Sequence, residues 1–314
     1  MTRVLVTGAS GFIGRPLCVA LAGAGHTVRA ALRDRRVQGF PPGVEIVRLP
    51  DLAGPVDWRP LVDGMDAVVH LAAIAHAPPQ VPDAAYDRVN HRATAEFAHA
   101  AAAAGIGCFV FISSIGAQSA TTSDHPLSEA DVARPAKTYG QAKLAAEAAV
   151  RAAGVPYTIL RPVLVYGPDP KANIARLKWL AGLPVPLPFG ALRRRRSLLA
   201  LDNLIGAIRF ALEDPRALNE TFIVADAETV SVAEIIATLR RAAGRRPALV
   251  SVPPALLAFA FGLIGQREKW EQLAGSLVAE PKKLMAAGWR PAVDTRSALA
   301  AMVGGPTARP TTLK

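Results

Sequence analysis

Residues 4–17 read VLVTGASGFIGRPL, an apolar run that breaks at a glycine and continues, through two more glycines, into a helical segment. No other stretch restricts the fold so tightly. Without side chains, Gly8, Gly11 and Gly14 allow a sharp turn and let a pyrophosphate approach the backbone. The helix that follows points unpaired amides and the positive end of its dipole at that anion. Three glycines alone are a weak signal. Placed between a strand and a helix at the start of a βαβ unit, they predict a dinucleotide site.

The first half of the chain continues that pattern. Strand-like apolar runs fall at 4–7, 27–32, 44–49, 66–72, 108–113 and 157–162, with helical segments near 12–24, 57–63, 83–104 and 137–153 between them. Strands that are apolar on both faces and alternate with helices predict a parallel, doubly wound α/β Rossmann sheet. After residue 165 prolines cluster, and helices are expected near 202–213, 231–243, 254–264 and 281–287, with a strand at 221–226. The expected division is a dinucleotide-binding domain over 1–165, with about 200–226 returning to it, and a smaller, mostly helical substrate lobe over 166–199 and 227–314.

With 51% hydrophobic and 19% charged residues, the 314-residue chain belongs with globular proteins. Two cysteines, Cys18 and Cys108, make neither a disulfide framework nor a metal cluster and suit a reduced, cytoplasmic protein. The histidines form no ligand pair, so no metal is expected. The apolar stretch ALLAFAFGLIG, 255–265, is too short to span a bilayer and reads as a buried or partner-facing helix, with an interfacial membrane contact as the less favoured alternative. A net charge of +11 implies an anionic partner. No interleaved aromatics accompany the arginine run 193–196, so a phosphate-bearing small molecule fits better than a nucleic acid.

The form VTGASGFIG resembles the glycine motif of the extended short-chain dehydrogenase/reductase superfamily, and the order of later motifs matches along nearly the whole chain. The resemblance implies dinucleotide contacts from Ser10, Phe12 and Ile13 beside the glycines, from Asp51 and Leu52 at the adenine, from the Ala72–Ala73 segment under the dinucleotide, and from Pro162. It places a structural asparagine at Asn90. At the end of the second strand a carboxylate would select NAD(H) and a cation NADP(H). The family's acidic position falls on Leu32, followed by Arg33, with Arg35 and Arg36 beyond, which favours NADP(H). Asp34 keeps NAD(H) as the alternative.

Residues 137–147, KTYGQAKLAAE, put Tyr139 and Lys143 four apart on one helix face. A phenol is a poor base at neutral pH, but nearby cations favour its anion. Lys143 and an oxidised nicotinamide are expected to bring Tyr139 towards the range of acid/base catalysis. The strand ending in FISS supplies Ser114 to orient a substrate oxygen, with Ser113 the less favoured serine. Ser114, Tyr139 and Lys143 match the family's catalytic triad, and in that family the lysine also holds the nicotinamide ribose.

LRPVLVYGPDP (160–170) resembles a segment of nucleotide-sugar epimerases, dehydratases and reductases. PLPFGALRRRRSLLALDNL (186–204) resembles their later loop, in which Arg195 or Arg196 would contact the nucleotide diphosphate. With GSLVAEPKKLMAAGWRP, it is similar to bacterial enzymes that make or epimerise UDP-N-acetylhexosamines for surface polysaccharide. The resemblance implies a UDP-linked sugar substrate, with chemistry at C4, and pairing into homodimers. A 4-keto reductase must exchange its cofactor, which suits NADPH, so Arg33 tilts the reading from 4-epimerase to reductase. A 4,6-dehydratase is disfavoured because SSIGAQ lacks the acidic pair that class requires. Two other readings stay open: an NADPH-dependent reductase of apolar carbonyls, and a non-catalytic NADP(H)-binding sensor, although such sensors lack the tyrosine–lysine pair.

Overall fold

A computed structural model describes residues 1–34, 36–75, 81–168 and 172–303. In chain order, β1 (Arg3–Thr7), α1 (Gly14–Gly23), β2 (Thr27–Leu32), β3 (Glu45–Arg48), α2 (Arg59–Val62) and β4 (Ala67–His70) come first. They are followed by α3 (Asp83–Tyr86), a π turn (Asp87–Arg92), α4 (Ala93–Ala103), β5 (Cys108–Ile112), α5 (Thr138–Ala152) and β6 (Tyr157–Pro162). The remainder is β7 (Leu164–Tyr166), α6 (Ala172–Gly182), β8 (Arg195–Ala200), α7 (Leu201–Glu213), β9 (Glu220–Val224), β10 (Thr229–Ser231), α8 (Val232–Ala242), α9 (Pro254–Leu263), α10 (Arg267–Ala274), α11 (Lys282–Ala287) and α12 (Thr295–Ala301).

Seven strands form one parallel sheet in the order β3-β2-β1-β4-β5-β6-β9. The chain winds outwards from β1 in one direction and from β4 in the other. Loops at the carboxyl ends of β1 and β4 therefore diverge and leave a crevice for a ligand. Every residue of β4 and β5 is buried, because helices cover both faces of the sheet. On one side, Leu17, Cys18 and Leu21 of α1 and Leu204, Ile205 and Ile208 of α7 pack against Val4, Val6 and Val69. On the other, Phe97 of α4 and Ala146 and Val150 of α5 pack against Leu5, Val68 and Phe109.

The segment expected as one helix over 83–104 is interrupted by the π turn, which adds a residue to one turn and shifts the phase of the side chains. A second sheet, β10-β8-β7, has its own apolar core with α6 and α8, with β7 parallel and β10 antiparallel to β8. The sequence pattern does not disclose the three-residue β7 and β10 or the helices α6, α10 and α12, which are short or border proline-rich runs. Asp226 pins this second sheet to the large one. It accepts hydrogen bonds from the Ala200 amide (2.9 Å), Asn203 Nδ2 (2.7 Å), Tyr166 Oη (3.0 Å) and Thr295 Oγ1 (3.2 Å). Ser231 and Glu234 form a capping box at the start of α8.

The α9 helix is not buried in the fold, which leaves the partner-facing and interfacial readings of this stretch. Of its ten residues only Leu257 is buried, and the apolar side chains on its outer side face solvent. No described helix is long and apolar enough to cross a membrane, and no cluster of potential metal ligands occurs among the described residues.

Candidate active site

The glycine turn is built by backbone packed on backbone. Gly8 has φ +69°, and a Cβ there would stand 2.9 Å from the Ala72 amide nitrogen. A Cβ on Gly14 would stand 2.6 Å from Ala9 Cα. The turn closes through the Gly11 amide donating to the Gly8 carbonyl at 3.0 Å. No side chain caps α1, and its first turn carries no acidic residue. Free amides at the positive end of a dipole, with no competing carboxylate, fit a pyrophosphate. Ser10 and Gly11 are exposed there, Phe12 and Ile13 half-buried. Phe12 lies under Gly167, where an added Cβ would stand 3.2 Å from its ring, so the turn meets the loop after β7.

Asn90 ties down the loop that runs past Ala72 and Ala73. Its Oδ1 accepts from the Ile74 amide at 2.8 Å and its Nδ2 donates to the Ile74 carbonyl at 2.9 Å. Asp51 is exposed and accepts from the Ala53 amide at 3.0 Å, whereas Leu52 is buried in the core. Pro162, which ends β6, is also buried. At the end of β2, Leu32 is buried while Arg33 and Arg36 are exposed. Asp34 accepts from the Arg36 amide at 2.9 Å, so one carboxylate oxygen is held by its own turn. Arg35 lies outside the described residues.

His70, unnoticed in the sequence, ends β4 beneath the turn. Its Nδ1 is 2.7 Å from Thr7 Oγ1 and its Nε2 3.0 Å from Thr94 Oγ1. Thr94 donates to the Asn90 carbonyl, so Nε2 carries the proton and Nδ1 accepts from Thr7. Burial, and secondarily the charge of Lys143, depress this imidazole to about 3. The unfolded chain therefore takes up the proton first, and stability falls as pH drops from the ordinary histidine value of 6.5 towards 3. At pH 5 the loss from this residue should be about 2 kcal/mol relative to pH 8. Urea unfolding of His70→Gln should lack that part of the acid sensitivity. An unchanged difference between the two pH values would contradict the assignment.

Tyr139 stands beside Ser114 because two glycines make room. A Cβ on Gly140 would stand 2.9 Å from the Gly116 carbonyl carbon, so α5 rests directly on the turn after β5. Ser114 caps that turn, accepting from the Gly116 amide at 3.0 Å. Burial raises the Tyr139 phenol above its ordinary value, a hydrogen bond with Ser114 opposes this, and Tyr86 raises it further. Tyr86 meets Tyr139 edge-on at 6.4 Å between ring centroids. The expected lowering of the phenol by Lys143 is not realised by the protein alone. The Lys143 ammonium is fully buried, donates to the Ile112 carbonyl at 2.8 Å and lies 4.6 Å from the Phe111 ring centre. Burial pulls it down to about 7 against the pull of Glu147, so at neutral pH it carries only part of its charge.

Ser113 is committed elsewhere: its hydroxyl donates to Glu147 Oε1 at 2.6 Å. Glu147 also accepts from Arg161 at 2.9 and 2.6 Å and from Arg151 at 3.1 Å. Arg161 reaches on to Gln118, whose amide donates to the Ser128 and Asp131 carbonyls. This buried network lies one helical turn beyond Lys143 and fixes the loop between β5 and α5.

The arginine run divides in a way the sequence does not predict. Arg195 pairs with Glu234 of the capping box. Arg196 donates to the carbonyls of Gln272, Leu273 and Gly275 at 3.2, 2.7 and 2.9 Å. Both guanidinium groups, expected at the diphosphate, have these protein partners in the structure. Arg193 and Arg194 instead line a cavity of about 630 Å³ with Thr121, Thr122, Ala258 and Trp270. Ser114 and Tyr139 are not among its walls.

A parallel sheet with a glycine turn at its centre and a serine–tyrosine–lysine set beside it defines an enzyme of the extended short-chain dehydrogenase/reductase class. The chain belongs to the NAD dependent epimerase/dehydratase family, whose model matches residues 4–225. It is 31% identical over 303 residues to a UDP-glucose 4-epimerase of Vibrio cholerae, covering 92% of this chain and 90% of that protein. It is 31% identical over 285 residues to a 2'-dehydrokanamycin reductase of Streptomyces kanamyceticus, covering 86% and 76%. Among solved structures, MoeE5 in complex with UDP-glucose and NAD superposes with a TM-score of 0.74 at 26% identity, covering 96% of this chain and 97% of that one.

Proposed function

We propose that the protein transfers hydride between NADP(H) and C4 of a UDP-linked hexose or N-acetylhexosamine, as a 4-keto reductase. The observation carrying this choice is the end of β2. Buried Leu32 replaces the carboxylate that would bind both ribose hydroxyls, exposed Arg33 and Arg36 follow, and Asp34 is engaged by its own turn. The nicotinamide supplies or accepts the hydride when bound. Tyr139 gives or takes the proton at the carbonyl or carbinol oxygen, Ser114 orients that oxygen, and Lys143 holds the ribose hydroxyls. The raised phenol favours the protonated, donating form that a reduction requires.

A C4 epimerase is the second reading, favoured by the 31% identity to the Vibrio cholerae epimerase. Extraction of nucleotide from purified protein separates the two. A site that is purified free of nucleotide and binds NADPH at least tenfold more tightly than NADH is the expected result. Tightly retained NAD would establish the epimerase.

We assign the diphosphate contact to Arg193 and Arg194, which line this cavity. Arg193→Ala/Arg194→Ala should raise KM for the sugar nucleotide about tenfold with a smaller change in kcat, since a lost charge-assisted phosphate bond weakens binding generally. Arg195→Ala should leave KM unchanged. The reverse pattern would return the contact to Arg195.

A further inference from the structure

The helix α9 has an apolar side that nothing among the described residues covers. Leu256, Phe259, Leu263 and the following Ile264 are 60%, 67%, 73% and 67% exposed. Leu256, Phe259 and Leu263 fall at i, i+3 and i+7 and so form one stripe. The opposite side is anchored in the protein: Leu257 is buried in the core of the second sheet, and Phe261 packs on Trp270 with ring centroids 5.7 Å apart. Val185 and Val250, both about half exposed, lie on neighbouring segments joined by the Leu187–Leu249 bridge. Clustered exposed apolar side chains of this size on a soluble domain mark an interaction site.

Charge around the stripe identifies what covers it. Residues 235–267 contain five arginines and no aspartate or glutamate. Arg241, Arg245, Arg246 and Arg267 are exposed. Arg267 lies along α9, its Nε 3.6 Å from where a Cβ on Gly262 would stand. Arg245 donates to the Gly182 carbonyl and Arg240 to those of Leu183 and Val185, which brings 240–246 beside Val185. Beyond that window Glu271 of α10 is exposed at the cavity beside Ala255 and Ala258. Arginines outnumber it around the stripe, and a second copy meeting this face would set most of them against arginines. A layer with an apolar interior and an anionic surface satisfies both halves of the pattern.

We propose that α9 docks the enzyme on an anionic lipid bilayer, lying in the interface with Leu256, Phe259, Leu263 and Ile264 among the acyl chains and the surrounding arginines on lipid phosphates. At ten residues it lies in the membrane rather than crossing it. The side of α9 bearing Ala255 and Ala258 lines the cavity that holds Arg193 and Arg194, so docking brings that cavity to the membrane surface.

This goes beyond the proposed reaction and is read without turnover. The full chain is floated with vesicles of phosphatidylcholine alone or of phosphatidylcholine and phosphatidylglycerol at roughly three to one. Expected is binding to the anionic vesicles that weakens with added salt and is about tenfold weaker to the neutral ones. Phe259→Ser/Leu263→Ser, both positions exposed, should abolish flotation while circular dichroism and turnover of a soluble sugar nucleotide stay unchanged. Arg245→Ser/Arg246→Ser should weaken binding and flatten its salt dependence. Failure of the parent protein to bind either vesicle overturns the proposal. So does a dimer in sedimentation that Phe259→Ser/Leu263→Ser dissociates, because a second copy would then own the face.

Discussion

Tyr139→Phe should lower kcat by about three orders of magnitude while dinucleotide affinity stays within a few-fold of the parent protein. The ring packs edge-on against Tyr86 and its helix rests on Gly116, and neither contact needs the hydroxyl. What is lost is the positioned proton, a contribution of roughly 10²–10⁴ in rate. Ser114 stays in place as the cap of its own turn, so substrate orientation should survive. Single-turnover kinetics with NADPH and a 4-keto sugar nucleotide, together with fluorescence titration of the cofactor, check both halves. Turnover within tenfold of the parent would remove Tyr139 from the chemistry.

The second large effect concerns stability. Arg161→Met should destabilise the fold by about 3–5 kcal/mol, because it leaves the Glu147 carboxylate buried with Ser113 and the partly exposed Arg151 as its remaining partners. Arg161→Met/Glu147→Leu should recover most of that loss, since the penalty comes from an uncompensated charge rather than from the absence of a pair. Denaturant unfolding of the two single variants and the double variant closes the cycle. A double variant no more stable than Arg161→Met would show that the network stabilises more than its desolvation costs. The Glu147 charge also supports protonation of Lys143, so Glu147→Gln should shift the lysine's titration further down.

Local features were legible in the chain and long-range ones were not. The glycine turn and the Tyr139–Lys143 helix each declare themselves within a dozen residues, because strand, turn and helix are adjacent there. The parallel sheet followed from apolar runs that alternate with helices. The direction of each arginine in 193–196 depends instead on β8, whose register opposite β10 sets Arg196 against Val230 and Arg195 against Ser231. Nothing near residue 195 encodes a partner more than thirty residues downstream. His70, Glu147 and Arg161 sit within otherwise apolar strands or an alanine-rich helix, and only the fold shows that Glu147 meets Arg161 and that His70 meets Thr7 and Thr94. Gly140 could have been noticed: a glycine in the first turn of a helix, directly after the tyrosine, signals close approach of another backbone.

The widened turn at Asp87–Arg92 works as a phase adjuster. It lets one continuous helical stretch aim Tyr86 at the Tyr139 ring and Asn90 at the Ile74 loop, two targets that regular winding would set out of step. Removing one residue from it would restore ordinary pitch and rotate the upstream end by about 100°. Tyr86 would swing away from the Tyr139 ring. One inserted residue thus sets the angle at which one aromatic edge meets the other.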